Sequence, residues 1–224
     1  MTTGRPLVIA HRAGNDLGAL RAAEAQGVDM VEADLHLFWG NIEVRHAKTI
    51  GPLPILWERW RLVRPFRPRI RLTAMLVAVA PSTHLMLDLK GPSPRLSRAT
   101  VAVLQQSSSD RSYTVCARNW MLLRPFEGLP GVRVIRSIAG PLQLQWLLRG
   151  RRRSLDGVSV DQKLLDARSV ARLVNRAGLV LAWGVTTERR LRELSALGVS
   201  GFILDDRKLM RSVLPNLGDV RAGN

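Results

Sequence analysis

The chain has 224 residues, of which 46% are hydrophobic, and it carries a formal net charge of +16 at pH 7. This composition excludes an intrinsically disordered chain and supports one sizeable core, so a single domain over residues 1–224 is expected. The single cysteine, Cys116, excludes an internal disulfide framework.

The apolar stretches are too short to place the chain in a membrane. The longest apolar window, LTAMLVAVAP, is far shorter than the roughly 20 residues of a transmembrane helix, and the N-terminus lacks the apolar run of a signal peptide. We therefore expect a cytoplasmic protein, with peripheral association with the inner face of the membrane left open. The 34 basic residues exceed the 18 acidic ones, which favours phosphate-bearing partners. However, 30 of the basic residues are Arg, a skew that codon composition would explain equally well.

Short apolar runs alternate with helical patterns along the chain. The helical patterns include GALRAAEAQG, ARSVARLVNRAG and TERRLRELSALG, which end in the glycine typical of a helix C-cap. This alternation predicts an α/β protein with a parallel sheet, and eight strands in this length fit a compact (β/α)8 TIM barrel. A doubly wound sheet is the alternative, but no glycine-rich phosphate loop supports it. The predicted strands are residues 7–10, 30–37, 84–90, 112–117, 132–138, 157–161, 179–185 and 201–205.

One segment breaks this alternation after the second predicted strand. Residues 51–70, GPLPILWERWRLVRPFRPRI, contain Pro65 and Pro68, which exclude a continuous helix. We expect a short basic and aromatic excursion here, followed by a helix at 71–80. The span Trp57–Arg71 is a candidate contact with an anionic membrane surface. The alternative is that its aromatic side chains cap the barrel and its arginines are solvated.

Polar side chains cluster where the first predicted strands end. The carboxyl ends of all strands in a (β/α)8 barrel meet at one mouth, where catalysis takes place. Glu32 and Asp34 share one face of their strand, because side chains alternate across a strand. Taken singly, such pairs are often solvated strand faces, so the combination is the stronger signal. The stretch LFWGNIEVRH after the second strand is expected to form a hairpin that ends at His46. The residues expected at the mouth are His11, Arg12, Glu32, Asp34, His46, Asp88 and Lys90.

The chemistry of this set is that of phosphodiester hydrolysis. Three crowded carboxylates require a cation, and oxygen ligands suit Mg²⁺ or Ca²⁺. Arg12 and Lys90 can bind an anionic substrate, and two histidines can act as general acid and base. His36 and His84 are interpreted as structural.

These residues resemble the motifs of the glycerophosphodiester phosphodiesterase family. The resemblance lies in IAHRAG, GVDMVEADLHL, the following His46, LMLDLKG, and the closing LVLAWGVTTERRLRELSALGVSGFILDD. It implies a (β/α)8 barrel that hydrolyses glycerophosphodiesters to glycerol phosphate and an alcohol with one divalent cation. The implied roles are Glu32, Asp34 and Asp88 as metal ligands, His11 and His46 as the acid–base pair, Arg12 and Lys90 as phosphate ligands, and Asn15 and Trp183 as further mouth residues.

The chain departs from the family pattern at several positions. The first loop shrinks to AGNDLGAL, with Asn15 as the remnant of a longer motif, and Ala47 replaces an Asp. Asp88 stands where Glu is usual and resembles the sphingomyelinase-D-like branch. Two alternatives follow: a lysophospholipase-D-type activity on membrane lysolipids, and a catalytically retired barrel that binds phospholipid or phosphate. No specific nucleic-acid partner is expected.

Overall fold

The computed structural model describes residues 5–49, 56–58, 61–63, 69–107, 111–150 and 155–214. Short 3-10 helices are present at Ala13–Asn15, Trp120–Phe126 and Gln162–Leu164. The helices are α1 (Leu17–Ala25), α2 (Leu72–Ala78), α3 (Pro94–Gln106), α4 (Pro141–Arg149), α5 (Ala167–Val174), α6 (Glu188–Ala196) and α7 (Arg207–Arg211). The strands are β1 (Leu7–Ala10), β2 (Met30–Phe38), β3 (Asn41–Val44), β4 (Lys48–Thr49), β5 (Leu56–Glu58), β6 (Arg61–Val63), β7 (Ile70–Arg71), β8 (His84–Leu89), β9 (Tyr113–Ala117), β10 (Val132–Ile138), β11 (Leu155–Asp161), β12 (Ala177–Trp183) and β13 (Gly201–Leu204).

Eight parallel strands close into a barrel. Their order is β1, β13, β12, β11, β10, β9, β8 and β2, and β2 pairs again with β1. Helices follow the barrel strands, which confirms the predicted (β/α)8 fold. The register places Asp34 directly beside Asp88, and Asp88 beside Cys116, on three consecutive strands. Strand pairing alone therefore brings two of the predicted carboxylates together.

The barrel separates two cores because side chains alternate across each strand. Ile9, Met30, Met86 and Leu181 belong to a small inner cluster, whereas their neighbours along each strand pack against the outer helices. The outer core is larger and contains the buried faces of the helices, such as Leu191 and Leu194 of α6. Inward-facing positions are therefore set by the phase of each strand.

Acidic and hydroxyl side chains define where several helices begin. The carboxylate of Asp16 accepts a hydrogen bond from the backbone N–H of Ala19, which caps α1. Asp166 and Ser169 form a reciprocal capping box at the start of α5. Each cap satisfies a backbone donor that the helix leaves free, a stabilisation of about 1 kcal/mol.

The second barrel strand extends beyond its neighbour and forms the predicted hairpin. β3 pairs antiparallel with β2, with Leu35 opposite Val44. Trp39 and Gly40 form the turn, both with positive φ. The hairpin returns the chain to the mouth end of the barrel, so that His46 follows β3 next to the end of β2.

Outside the barrel, β4, β5 and β6 form a small antiparallel sheet that includes parts of the predicted excursion. Helix α2 follows at Leu72–Ala78, in agreement with the helix expected at 71–80. The side chains of residues 51–68 lie outside the described residues, so the membrane surface predicted for Trp57–Arg71 stays a prediction. None of the helices in the described ranges has the length and apolar character to cross a membrane.

Candidate active site

In most of the barrel strands, the inward-facing positions end in a charged, histidine or tryptophan side chain at the mouth. His11 follows the inner-core residue Ile9 by two positions, and Asp88 follows Met86 in the same way. The alternation could therefore be used to find mouth residues from the sequence. Further residues on this inward phase are Glu32, Asp34, His36, Lys90, Arg118, Trp183 and Asp205.

The three predicted carboxylates converge. Oxygen atoms of Glu32, Asp34 and Asp88 all lie within 4.8 Å of one another. Glu32 is 2% and Asp34 0% exposed, so neither charge is relieved by solvent. Burial, together with the charges of Asp34 and Asp88, raises the pKa of Glu32 well above its usual value. Oδ1 of Asp88 is buried and has no hydrogen-bond partner within the described part of the chain. A cation bound by these oxygens would remove both penalties, so the cluster fits a hard divalent ion.

Lys90 lies against the same cluster. Its ammonium is 2.8 Å from Oδ1 of Asp34 and also contacts Oδ2 of Asp88. Burial opposes ionisation of Asp34, but the charge and hydrogen bond of Lys90, together with the hydrogen bond from Asn15, lower the pKa of Asp34. Burial also disfavours the charged form of Lys90. The carboxylates of Asp88 and Asp34 nevertheless raise the pKa of Lys90 above its usual value. The guanidinium of Arg12 lies 3.7 Å from Asp34, so three carboxylates face two cations.

The loop after β1 supports the acidic cluster through its backbone. Arg12 adopts a left-handed conformation with φ 57°, and its N–H donates to Oε2 of Glu32 at 2.6 Å. Gly14 lies so close to β2 that a Cβ would approach the Cβ of Ala33 to 2.7 Å. Asn15 donates to Oδ2 of Asp34 at 2.9 Å and accepts from the backbone N–H of Asp34 at 2.8 Å. The shortened loop thus holds Glu32 and Asp34 in place, with a strained residue at its start.

His11 has an acidic partner that the sequence analysis did not identify. Its Nδ1 lies 2.7 Å from Oδ1 of Asp205, which follows the last barrel strand. Burial lowers the pKa of His11, and Asp205 opposes this shift. The inward phase of β13 would have identified Asp205, because it follows Ile203 by two positions.

His46 lies on the segment that follows β3, the hairpin partner of β2. The backbone N–H of Arg45 donates to the carbonyl oxygen of Asp34 at 3.0 Å, which keeps the segment beside the acidic cluster. The side chain of Arg45 is buried and bonds both Glu43, at 2.7 Å, and the carbonyl oxygen of Ala47. His46 is half-buried and lines the mouth.

A cleft of about 580 Å³ opens over these groups, within the usual range for a small-molecule site. His36 borders this cleft, although its position in the sequence had indicated a structural role. Burial and the charge of Arg45 lower the pKa of His36 to about 4, so it is neutral at pH 7. His84 lies at the start of β8, away from the mouth, and bonds Thr114 at 2.8 Å. Other residues of the cleft wall are Arg12, Arg45, His46, Asp88, Lys90, Arg118 and Asn119.

The fold is shared with solved phosphodiesterases at low sequence identity. An Oleispira antarctica phosphodiesterase in complex with sn-glycerol-3-phosphate is 19% identical, with a TM-score of 0.73 over 93% of this chain and 96% of that one. The chain has the fold of these enzymes. A glycerophosphodiester phosphodiesterase from Parabacteroides distasonis is 19% identical, with a TM-score of 0.72 over 98% of this chain and 100% of that one. The Thermotoga maritima enzyme is 16% identical, with a TM-score of 0.68 and coverages of 93% and 97%.

The comparisons by sequence find no relative. No family model matches the chain, and no curated protein matches it. At identities of 14–19%, the structural likeness establishes the fold of the chain.

Proposed function

We propose that this protein is a metal-dependent phosphodiesterase that hydrolyses glycerophosphodiesters to glycerol phosphate and an alcohol. The observation that carries the proposal is the convergence of three carboxylates within 4.8 Å at the mouth of the barrel. The product bound to the Oleispira antarctica phosphodiesterase, sn-glycerol-3-phosphate, supports the class of substrate. The roles of the individual residues, and residues 1–224 as one domain, belong to the same proposal.

Glu32, Asp34 and Asp88 would hold one divalent cation, either Mg²⁺ or Ca²⁺, since oxygen ligands suit both. Such an ion supplies charge neutralisation for the phosphoryl oxygens of the substrate. The backbone N–H of Arg12 and the amide of Asn15 keep two of the carboxylates oriented towards this position.

His11 and His46 would be the acid–base pair. One imidazole takes the proton from the attacking hydroxyl, whether of water or of the substrate, while the other protonates the leaving oxygen. Asp205 orients His11 through its Nδ1, which leaves Nε2 for the proton transfer. His11 follows β1 and His46 follows β3, the hairpin partner of the neighbouring strand β2, so the two imidazoles can approach the phosphorus from different sides.

Arg12 and Lys90 would bind the phosphoryl oxygens. Their side chains lie at the acidic cluster and border the cleft, so a bound phosphate would contact both cations. Trp183 would form part of the wall, with the guanidinium of Arg118 5.4 Å from its ring centroid.

Two alternatives keep specific support. A lysophospholipase-D-type activity is favoured by a second, aromatic cleft that adjoins the mouth through Arg118 and Asn119. A catalytically retired barrel is favoured by Lys90, whose ammonium contacts both Asp34 and Asp88 and neutralises part of the cluster without a metal.

We also propose a cytoplasmic location with peripheral membrane association, for which the basic excursion at Trp57–Arg71 is one candidate contact.

The test is the release of choline, ethanolamine or glycerol from a panel of glycerophosphodiesters and lysolipids. Each assay is run with Mg²⁺, with Ca²⁺ and with a chelator. Turnover that requires a cation supports the proposal. The preferred substrate distinguishes hydrolysis of glycerophosphodiesters from a lysophospholipase-D-type activity. Substrate binding without turnover under any cation would identify the retired barrel.

A further inference from the structure

A second cleft, of about 750 Å³, lies beside the mouth cleft. It lies between the segment that follows β9 and helix α4, and it reaches from Arg118 and Asn119 at the mouth to Arg149, the last residue of α4. Arg118 and Asn119 line both clefts. We call its apolar and basic residues the aromatic–arginine surface: Trp120, Met121, Leu142 and Trp146, with Arg118, Arg124 and Arg149.

Helix α4 presents apolar residues on two faces. Leu144, Leu147 and Leu148 are buried against the barrel, as expected for an outer helix. On the solvent face, Leu142 is 79% and Trp146 is 66% exposed. These two residues contribute little to the core, so the packing of the barrel does not explain why apolar side chains stand at these positions.

The same surface gathers apolar groups from a second segment. Met121 is 58% exposed, and the rings of Trp120 and Trp146 lie 5.3 Å apart. Clustered exposed apolar side chains of this kind mark an interaction site.

The charges of the surface select the partner. Arg118, Arg124 and Arg149 have no carboxylate within ion-pair distance among the described residues, whereas Arg136 has Glu127 at 3.6 Å. Unpaired guanidinium groups attract an anionic partner. A second copy of this chain would bring these arginines face to face, with a net charge of +16 on each copy, and is disfavoured.

We propose that the aromatic–arginine surface binds an anionic lipid bilayer. Tryptophan side chains favour the interface between lipid and water, and arginines bind lipid phosphates there. Bound in this way, the protein presents its mouth cleft to headgroups at the membrane. This use of the surface rests on the proposed function, but binding itself requires no turnover.

The test is co-sedimentation with vesicles in the presence of a chelator, so that lipid cleavage does not contribute. Vesicles of phosphatidylcholine mixed with phosphatidylglycerol are compared with phosphatidylcholine alone. R124Q/R149Q should lower the partition coefficient on anionic vesicles roughly 30-fold, and added salt should weaken binding by the parent. L142Q/W146Q should lower it by about tenfold or more.

Matched controls remove the same groups elsewhere on the chain. R192Q/R211Q removes two exposed arginines from the outer helices, and V174Q/L197Q removes two exposed apolar residues near the opposite end of the barrel. Both should sediment as the parent does. Circular dichroism and turnover of a soluble glycerophosphodiester show that each variant is folded, and that turnover separately tests the proposed function.

Any of three results would overturn the inference. The first is a parent that does not sediment with anionic vesicles. The second is L142Q/W146Q that binds these vesicles as the parent does. The third is a parent that prefers single-stranded DNA to vesicles and loses DNA retention in L142Q/W146Q, which would assign the surface to nucleic acid. Vesicle binding by a parent with no soluble turnover leaves the bilayer inference intact and refutes the enzymatic proposal.

Discussion

The two ends of the barrel differ in how completely their polar groups are paired. At the amino ends of the strands, Arg5 forms two hydrogen bonds to Asp29, at 2.6 and 2.9 Å, and Asp29 also accepts from the backbone N–H of Val8 at 2.7 Å. His84 is bonded to Thr114 in the same region. The polar groups in these contacts are paired with one another, so the contacts stabilise the fold.

The mouth shows the opposite pattern. Six buried side-chain atoms lack a hydrogen-bond partner in the described part of the chain, and four of them belong to Arg12, Asp34, His36 and Asp88. The unpaired atom of Asp34 is Oδ1, which has an ionic contact with Lys90. Unpaired buried polar groups cost stability, so their concentration at one end indicates a site organised for a ligand. The contrast predicts that mouth substitutions reduce activity, while substitutions at the other end reduce stability.

The largest effect is expected at the acidic cluster. Glu32→Gln and Asp88→Asn should each lower kcat by about 10³-fold or more, because a bound cation contributes several kcal/mol to transition-state stabilisation. The melting temperature without cation should stay the same or rise, since each substitution removes repulsion between carboxylates. Turnover at saturating Mg²⁺ or Ca²⁺ and thermal unfolding measure the two effects, with exposed Glu188→Gln as the control. Loss of folding together with activity would contradict a functional role for the cluster.

The histidines come next. His11→Ala and His46→Ala should each lower kcat by about 10²–10⁴, the usual contribution of one general acid or base. His84→Gln is the matched control, because His84 lies at the other end of the barrel and should leave kcat unchanged. Steady-state kinetics on a soluble glycerophosphodiester provide the measurement. Full activity in either mouth variant would exclude that histidine from proton transfer.

At the opposite end, Asp29→Ala should lower the free energy of unfolding by about 2 kcal/mol without changing kcat. The substitution leaves the buried N–H of Val8 unpaired and removes the ionic partner of Arg5. Denaturant unfolding measures the change in free energy, and kinetics on the folded fraction measure kcat. A tenfold fall in kcat would show that the two ends are coupled more closely than their contacts indicate.

The smallest effect is expected for Asp205, which acts through His11. Asp205→Asn should lower kcat by about tenfold, since the imidazole is then less well oriented. Asp205 raises the pKa of His11 against the effects of burial and Arg12, so removing its charge should move the His11 limb of the pH–rate profile to lower pH. Both curves should be recorded with saturating cation. An unchanged profile would mean that the contact with Asp205 has no part in the reaction.

Most of the correct predictions from the sequence follow from two patterns: the alternation of side chains along each strand, and the order of the strands in the chain. The eight barrel strands, the hairpin before His46, and the convergence of Glu32, Asp34 and Asp88 were all predicted, and the structure agrees. These features depend on a period of two residues along each strand and on the common direction of parallel strands. The two-residue period and the direction of each strand are both set by residues that lie close together in the chain.

Only the tertiary structure revealed the groups that hold the site in place. His11 and Asp205 are 194 positions apart and meet because β1 pairs with β13. The amide of Asn15 reaches Asp34 because the backbone at Gly14 lies against β2. His36 lines the mouth because β2 extends past β8. The sequence by itself determined which face of each strand carries the chemistry, since that is a local property. The structure decided which distant groups meet there, because barrel closure and loop packing depend on the whole chain.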